Sequence, residues 1–172
     1  SDSDEVWRDA EDPYFTPQPL PKFLKDQMGI SLYPKQEEDI LALLGEDPRH
    51  VFDPQYTRYQ QGILCYGKGA GKDYTVSCVM IWAIHVLMCL RSPARYLGQA
   101  EGENIDVITV AYSLNQAKTV LFFKMKQRLK SCKWFGGAIE RITGIDGDRY
   151  LKDGAGYVGS ESIIFPGNIR LW

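Results

Sequence analysis

Little in this sequence could hold a transition metal or a disulfide framework. It has two histidines, and its four cysteines (Cys65, Cys78, Cys89, Cys132) show neither C-x-x-C nor Cys/His ligand spacing. Three of the four lie in apolar runs, where a free thiol is a small buried hydrophobe. A reducing cytoplasm is the expected setting, and no secretory leader pattern is visible. Surplus positive charge is also missing: 20 Lys and Arg stand against 22 Asp and Glu, a net charge of −2. That excludes the global basic field of a free-standing nucleic-acid binder, so any DNA contact must be local or belong to an assembled ring or to further parts of the chain. The apolar run Thr75–Leu90 is shorter than the ~20 residues of a membrane span and contains His85. It predicts a helix buried against a sheet, with His85 as a core or helix-face side chain and not a ligand. At 172 residues and 44% hydrophobic content, the chain suits one domain with a sizeable core, or one domain plus a tail.

What is present is a glycine-rich loop, Tyr66-Gly67-Lys68-Gly69-Ala70-Gly71-Lys72-Asp73, between the apolar run Ile63-Leu64-Cys65 and the long segment from Thr75. Strand, glycine loop, lysine and helix is the layout of a phosphate-binding loop. Glycines let backbone N–H groups turn inward, the helix N-terminus adds its positive end, and the lysine reaches the outer phosphates. The strict pattern departs twice. Its first glycine falls at Tyr66, and Asp73 stands where a Mg²⁺-binding hydroxyl is usual, although a carboxylate is also a hard oxygen ligand. The alternative is a glycine-rich turn with no ligand.

Before the loop, residues 1–22 are acidic and then proline-rich. They predict an extended, solvated arm that Trp7, Tyr14 and Phe15 could pin to a surface. Pro34 followed by acidic residues and apolar periodicity up to Gly45 predicts a short capped helix. Gln36 in Tyr33-Pro34-Lys35-Gln36 is either an adenine-reading amide of the helicase-like kind or a surface side chain. Residues 46–60 are expected to be a loop. After the loop's helix, which ends near Pro93, Ile105–Ala111 alternates as a strand. Ser113–Leu129 has helical spacing with Ser113 as N-cap. Lys118, Lys124, Lys126, Arg128 and Lys130 make that helix basic, a face either solvated or suited to phosphates. Glycines from Gly136 to Gly156 predict a turn-rich region, and residues 162–172 predict a hairpin around Pro166-Gly167-Asn168.

In this order, four features resemble the N-terminal ATPase region of the tailed-bacteriophage terminase large subunit, a DNA-packaging motor. They are Tyr33-Pro34-Lys35-Gln36, the loop Gly67–Asp73, the strand and helix from Val107 to Leu129 with its Ser113–Ala117 turn, and the terminal hairpin. The resemblance covers residues 30–172. It implies an α/β fold of the P-loop NTPase class, a helicase-like, RecA-type parallel sheet flanked by helices and incomplete at its C-terminus. Residues 1–22 would be an arm and 23–172 the N-terminal part of the ATPase domain. The cofactors implied are ATP and Mg²⁺. Lys72 would contact the β/γ-phosphates, Lys68 would sense the γ-phosphate, and Gln36 would read adenine. Gly67, Gly69, Ala70, Gly71 and Tyr74 would complete the nucleotide site, with Asp73 on the metal. A neighbouring subunit would supply an arginine in trans, for which Arg141 and Arg149 are candidates beside their alternative as ordinary surface residues. Implied partners are double-stranded DNA, a portal protein, a small terminase subunit and further copies in a homo-oligomeric ring. No membrane is implied, and the location would be the infected bacterial cytoplasm, on the procapsid portal.

One departure shapes the expectation for activity. No apolar strand ends in Asp-Glu before Trp172: Asp106 begins its strand, and Ile163–Phe165 ends in proline. Nor is there a carboxylate cluster for the family's nuclease. The chain is therefore expected to be a fragment that binds nucleotide and hydrolyses little or none alone. The competing classes are a helicase-type nucleic-acid translocase and a nucleotide-sensing assembly domain without catalysis.

Overall fold

The computed structural model describes residues 6–110, 113, 115 and 121–172. The fold is arranged around one helix. Helices α1 (Leu20–Met28) and α2 (Pro34–Leu44) precede it, and α3 (Lys72–Cys89) forms the centre. After it come α4 (Pro93–Tyr96), β1 (Ile105–Val107), α5 (Phe123–Ser131), α6 (Lys133–Thr143), α7 (Gly147–Tyr150), β2 (Ile163–Phe165) and β3 (Ile169–Leu171).

Helix α3 is rich in β-branched residues, which are poor helix formers, so burial and not propensity stabilises it. By length and composition it could cross a membrane, but here it is packed inside the protein, against α1, α5 and β3. Ile81, Ile84, Val86, Leu87 and Met88 are all buried, each contributing about 1.5–3 kcal/mol relative to exposure. A helix surrounded in this way needs no polar face.

The sheet has strand order β1-β3-β2. β1 runs parallel to β3, with Ile105 opposite Ile169 and Val107 opposite Leu171. β2 and β3 form the expected antiparallel hairpin, Phe165 opposite Ile169. Its turn needs positive φ at Gly167 (88°) and Asn168 (60°), the residue types that accept it. Ile105, Ile163, Phe165, Ile169 and Leu171 are all buried. Among the described residues this is a small mixed sheet with one parallel pair, and it does not reproduce the expected RecA-type parallel sheet. The segment Ile63–Cys65, expected as the strand leading into the loop, forms no strand. No ladder partner reaches it among the described residues, and Ile63 is 88% exposed.

Two further expectations need correcting. Residues 6–19 are not a solvated arm: Trp7 and Phe15 are buried in the core. Tyr14 Oη donates to the Trp134 carbonyl (2.7 Å) and its ring stacks on Trp134. At Gln18 the backbone N–H donates to His85 Nε2 (3.0 Å), while its carbonyl accepts from Trp82 Nε1 (2.7 Å). A proline-rich segment with few hydrogen bonds of its own can dock only where side chains elsewhere supply partners, and α3 and α6 do so. The boundary expected after residue 22 falls inside α1. The glycine-rich region is also not all turn, because α6 runs through Gly136 and Gly137. A Cβ on Gly137 would lie 2.2 Å from the Tyr14 hydroxyl, and one on Gly147 would lie 2.3 Å from Gly136 Cα. These glycines are close-packing positions where backbone or ring leaves no room for a side chain.

Candidate functional site

The glycine loop enters α3 through Gly71, which is the helix N-cap at φ 75°, and Gly69 is also left-handed at φ 81°. Both angles are strained for residues with a Cβ. They reverse the chain so that it arrives at the N-terminus of α3, where the first N–H groups lack helical partners. Lys72 is exposed, and its Nζ donates to the Tyr66 carbonyl (3.0 Å) across the loop. Lys68 and Asp73 are exposed and make no ion pair among the described residues. The ammonium groups of Lys68 and Lys72 are therefore not neutralised by a carboxylate there.

Helix α2 braces this loop. Gln36 is only 7% exposed; its Nε2 donates to the Ala70 carbonyl (2.8 Å) and its Oε1 accepts from the Tyr33 backbone N–H (3.1 Å). The second bond is half of a capping box, which fixes the start of α2. Gln36 thus ties the loop to a helix more than thirty residues upstream, leaving one donor and one acceptor site on its amide. Gly71 is confined by the same amide, which would lie 3.1 Å from an added Cβ. Gln36→Ala is expected to cost about 1 kcal/mol in urea denaturation, because two part-buried hydrogen bonds, to the Tyr33 N–H and the Ala70 carbonyl, are lost. An unchanged unfolding midpoint would show that the brace is not formed.

Tyr66, the residue at the position of the missing first glycine, has its own anchor. Its hydroxyl donates to Asp39 Oδ2 (2.9 Å), and Lys35 meets Asp39 Oδ1 at 2.9 Å. The Lys35 hydrogen bond and then the Tyr66 one hold the Asp39 carboxyl below the usual carboxylate range. Between α2 and the loop lies an open cleft of about 580 Å³, lined by Ser31, Tyr33, Lys35, Gln36, Tyr66, the loop from Gly69 to Gly71, and Tyr74. Such a volume is in the range of small-molecule sites.

The structure brings Gln36, Gly69, Ala70, Gly71 and Tyr74 together around this cleft. Gly67 is the carbonyl partner of the Ala70 N–H within the same loop. The sequence gives Asp39 no role at the site and places Arg128 only on a basic helix face. The i,i+4 spacing of Lys35 and Asp39 was a usable signal, but nothing local pairs Asp39 with Tyr66. That basic face is not where Arg128 is used. Instead its guanidinium lies 4.3 Å from the Tyr74 ring centroid and bonds Ser77 Oγ. On the same helix, Lys126 and Lys130 both pair with Asp153, at 2.9 and 3.0 Å. Most of the described positive charge on α5 is therefore engaged within the chain and not presented to phosphates. Lys118, and the Ser113–Ala117 turn apart from Ser113 and Asn115, lie outside the described residues. Of the two arginines considered for action in trans, Arg141 is held by Asp12 (3.1 Å) and lies over the Tyr14 ring (4.1 Å). Arg149 is exposed on α7.

A family model described as "Uncharacterized protein MJ0330, N-terminal P-loop domain" matches residues 2–171. No curated protein and no solved structure matches the chain.

Proposed function

Since the chain belongs to the family of the MJ0330 N-terminal P-loop domain, we propose that it binds a nucleoside triphosphate, ATP with Mg²⁺, on the loop from Gly67 to Asp73. The observation that carries this reading is the left-handed Gly69–Gly71 loop, which lines one open cleft at the N-terminus of α3, with the exposed Lys72 beside it, bonded to the carbonyl of the lining residue Tyr66. Those residues fit the ligand: helix-terminal backbone donors suit a polyanion, and the exposed Lys72 and Lys68 ammonium groups, on or next to the loop, have no carboxylate partner among the described residues. Lys72, now donating to the Tyr66 carbonyl, would exchange that neutral acceptor for phosphate oxygens in a stronger, charge-assisted bond. Asp73, exposed at the second position of α3 and outside the cleft lining, would be the hard oxygen donor for Mg²⁺ at the edge of the site. Bound metal would offset phosphate charge. Gln36 can still offer adenine its remaining donor and acceptor while it holds Ala70.

The test is calorimetric titration of the chain with ATP and Mg²⁺ beside Lys72→Ala and Asp73→Ala. Losing a charged hydrogen bond of about 1.5–3 kcal/mol should weaken binding by Lys72→Ala about 10- to 150-fold. Asp73→Ala should remove the Mg²⁺ dependence. Equal affinity in wild type and Lys72→Ala would sink the proposal.

The finer reading is an ATP-driven motor on double-stranded DNA, of the terminase type. Its support is the order of the four sequence features; the family description names neither DNA nor a virus. The portal, small-subunit and ring partners, and the place on the procapsid, belong to that reading alone. The engaged cations of α5 weigh against a DNA face there, and Arg149 is the better remaining candidate for action in trans. A second reading, nucleotide sensing without turnover, is favoured because none of the described residues lining the cleft is a carboxylate. Release of inorganic phosphate from ATP separates the two: turnover lost in Lys72→Ala supports the motor, and binding without turnover supports the sensor.

A further inference from the structure

We infer that the cleft contains a nucleobase subsite walled by Tyr33 and Tyr74, and that Arg128 is the positioning residue that holds Tyr74 in place for it. The inference rests on the nucleotide reading above and adds where the base sits and what fixes its wall. The glycine loop accounts for one end of the cleft, while the lining away from it carries the Tyr33, Tyr66 and Tyr74 rings beside Ser31, Lys35 and Gln36, and the Lys35 ammonium is engaged by Asp39 at 2.9 Å. Tyr33 is 76% exposed and Tyr74 36% exposed, so neither ring is consumed by the core. A nucleobase is a flat ring whose faces stack on such side chains, whichever base it is.

Tyr74 differs from an ordinary exposed tyrosine in being fixed at both ring and root. The Arg128 guanidinium lies 4.3 Å from the ring centroid, a distance at which cation–π attraction is felt. The same guanidinium bonds Ser77 Oγ, and that hydroxyl in turn donates to the Tyr74 carbonyl (2.8 Å). Arg128, Ser77 and Tyr74 thus form a closed loop of contacts joining α5 to the first turn of α3. With one face covered by the guanidinium, the ring has one face left to offer the cleft that it lines. Holding the ring before the ligand arrives reduces the ordering cost of stacking on it.

The experiment compares ATP with inorganic tripolyphosphate, which can use the phosphate loop but has no base. Calorimetric titrations of wild type, Tyr74→Ala, Tyr74→Phe and Arg128→Met would be run side by side. Tyr74→Ala and Arg128→Met should each weaken ATP about tenfold and leave tripolyphosphate within about twofold, the size of one lost base–aromatic stack. Tyr74→Phe keeps the ring and should bind ATP like wild type. Retained tripolyphosphate affinity also shows that each variant is folded. Equal losses for both ligands, or unchanged ATP affinity in Tyr74→Ala, would overturn the subsite. Wild type binding both ligands equally would overturn the subsite while leaving the phosphate loop standing. Binding of neither would overturn the nucleotide reading, and this inference with it.

Discussion

Gly147→Ala is expected to destabilise the fold by about 3 kcal/mol or more, because over-packing against a backbone that cannot move aside exceeds the usual cost of an extra methylene. An added Cβ would lie 2.3 Å from Gly136 Cα, 2.4 Å from its carbonyl oxygen and 2.6 Å from its carbonyl carbon. All three atoms are main chain inside α6, so no rotamer change relieves the clash; α7 must lift away from α6. The reciprocal substitution behaves differently. A Cβ on Gly136 meets nothing nearer than Gly147 Cα at 3.9 Å, an ordinary contact. Gly136→Ala should therefore be neutral, or stabilising by up to about 1 kcal/mol, from better helix propensity and a less free unfolded chain. Urea denaturation of both variants checks the pair. Equal midpoints for Gly147→Ala and wild type would mean that α6 and α7 do not cross where the structure places them.

Acidification is expected to have the second large effect, through His85. This side chain is buried between the Phe23 ring, stacked at 4.3 Å, and the Trp134 ring, edge-on at 4.2 Å. Burial lowers its pKa from the usual 6.5 to about 3. Nε2 accepts the Gln18 N–H, so the neutral ring carries its proton on Nδ1, 3.9 Å from Cys89 Sγ. A protonated ring would lose that acceptor and place a charge among aromatic rings. The unfolded chain binds this proton near pH 6.5 and the folded chain only near pH 3. The contribution of neutral His85 is thus fully present above pH 6.5 and declines as pH falls toward 3, by about 1.4 kcal/mol per pH unit. Between pH 6.5 and 4.5 the loss should reach about 2–3 kcal/mol. His85→Gln, whose amide oxygen can still accept from Gln18, should be less stable at neutral pH but lack this slope. Wild type and His85→Gln with parallel stability profiles between pH 6.5 and 5 would refute it.

Short-range signals carried the parts that the sequence could specify. Pro34, its acidic neighbours and Gly45 bounded α2 correctly, since caps and breakers act within one turn of the residues that encode them. The apolar run after Lys72 could become only a buried helix, and Pro166-Gly167-Asn168 between two β-branched stretches could become only a hairpin. The glycine loop with its terminal lysine was legible as a phosphate-binding motif for the same reason: its geometry depends on positive φ angles that glycine accepts locally.

Tertiary structure decided which of these groups remain available. Gln36 is committed to the Ala70 carbonyl, Arg128 to Tyr74 and Ser77, and Lys126 and Lys130 to Asp153, all partners distant along the chain. Trp82 and His85 receive the backbone of Gln18, so a proline-rich stretch that reads as a solvated arm becomes part of the core. Gly136 and Gly137 read as breakers, yet they sit inside a helix because Gly147 and Tyr14 press against it. Local propensity records what a residue can do with its neighbours; long-range packing and hydrogen bonding select among those options, because a buried donor or acceptor left without a partner costs more than the local preference it overrides.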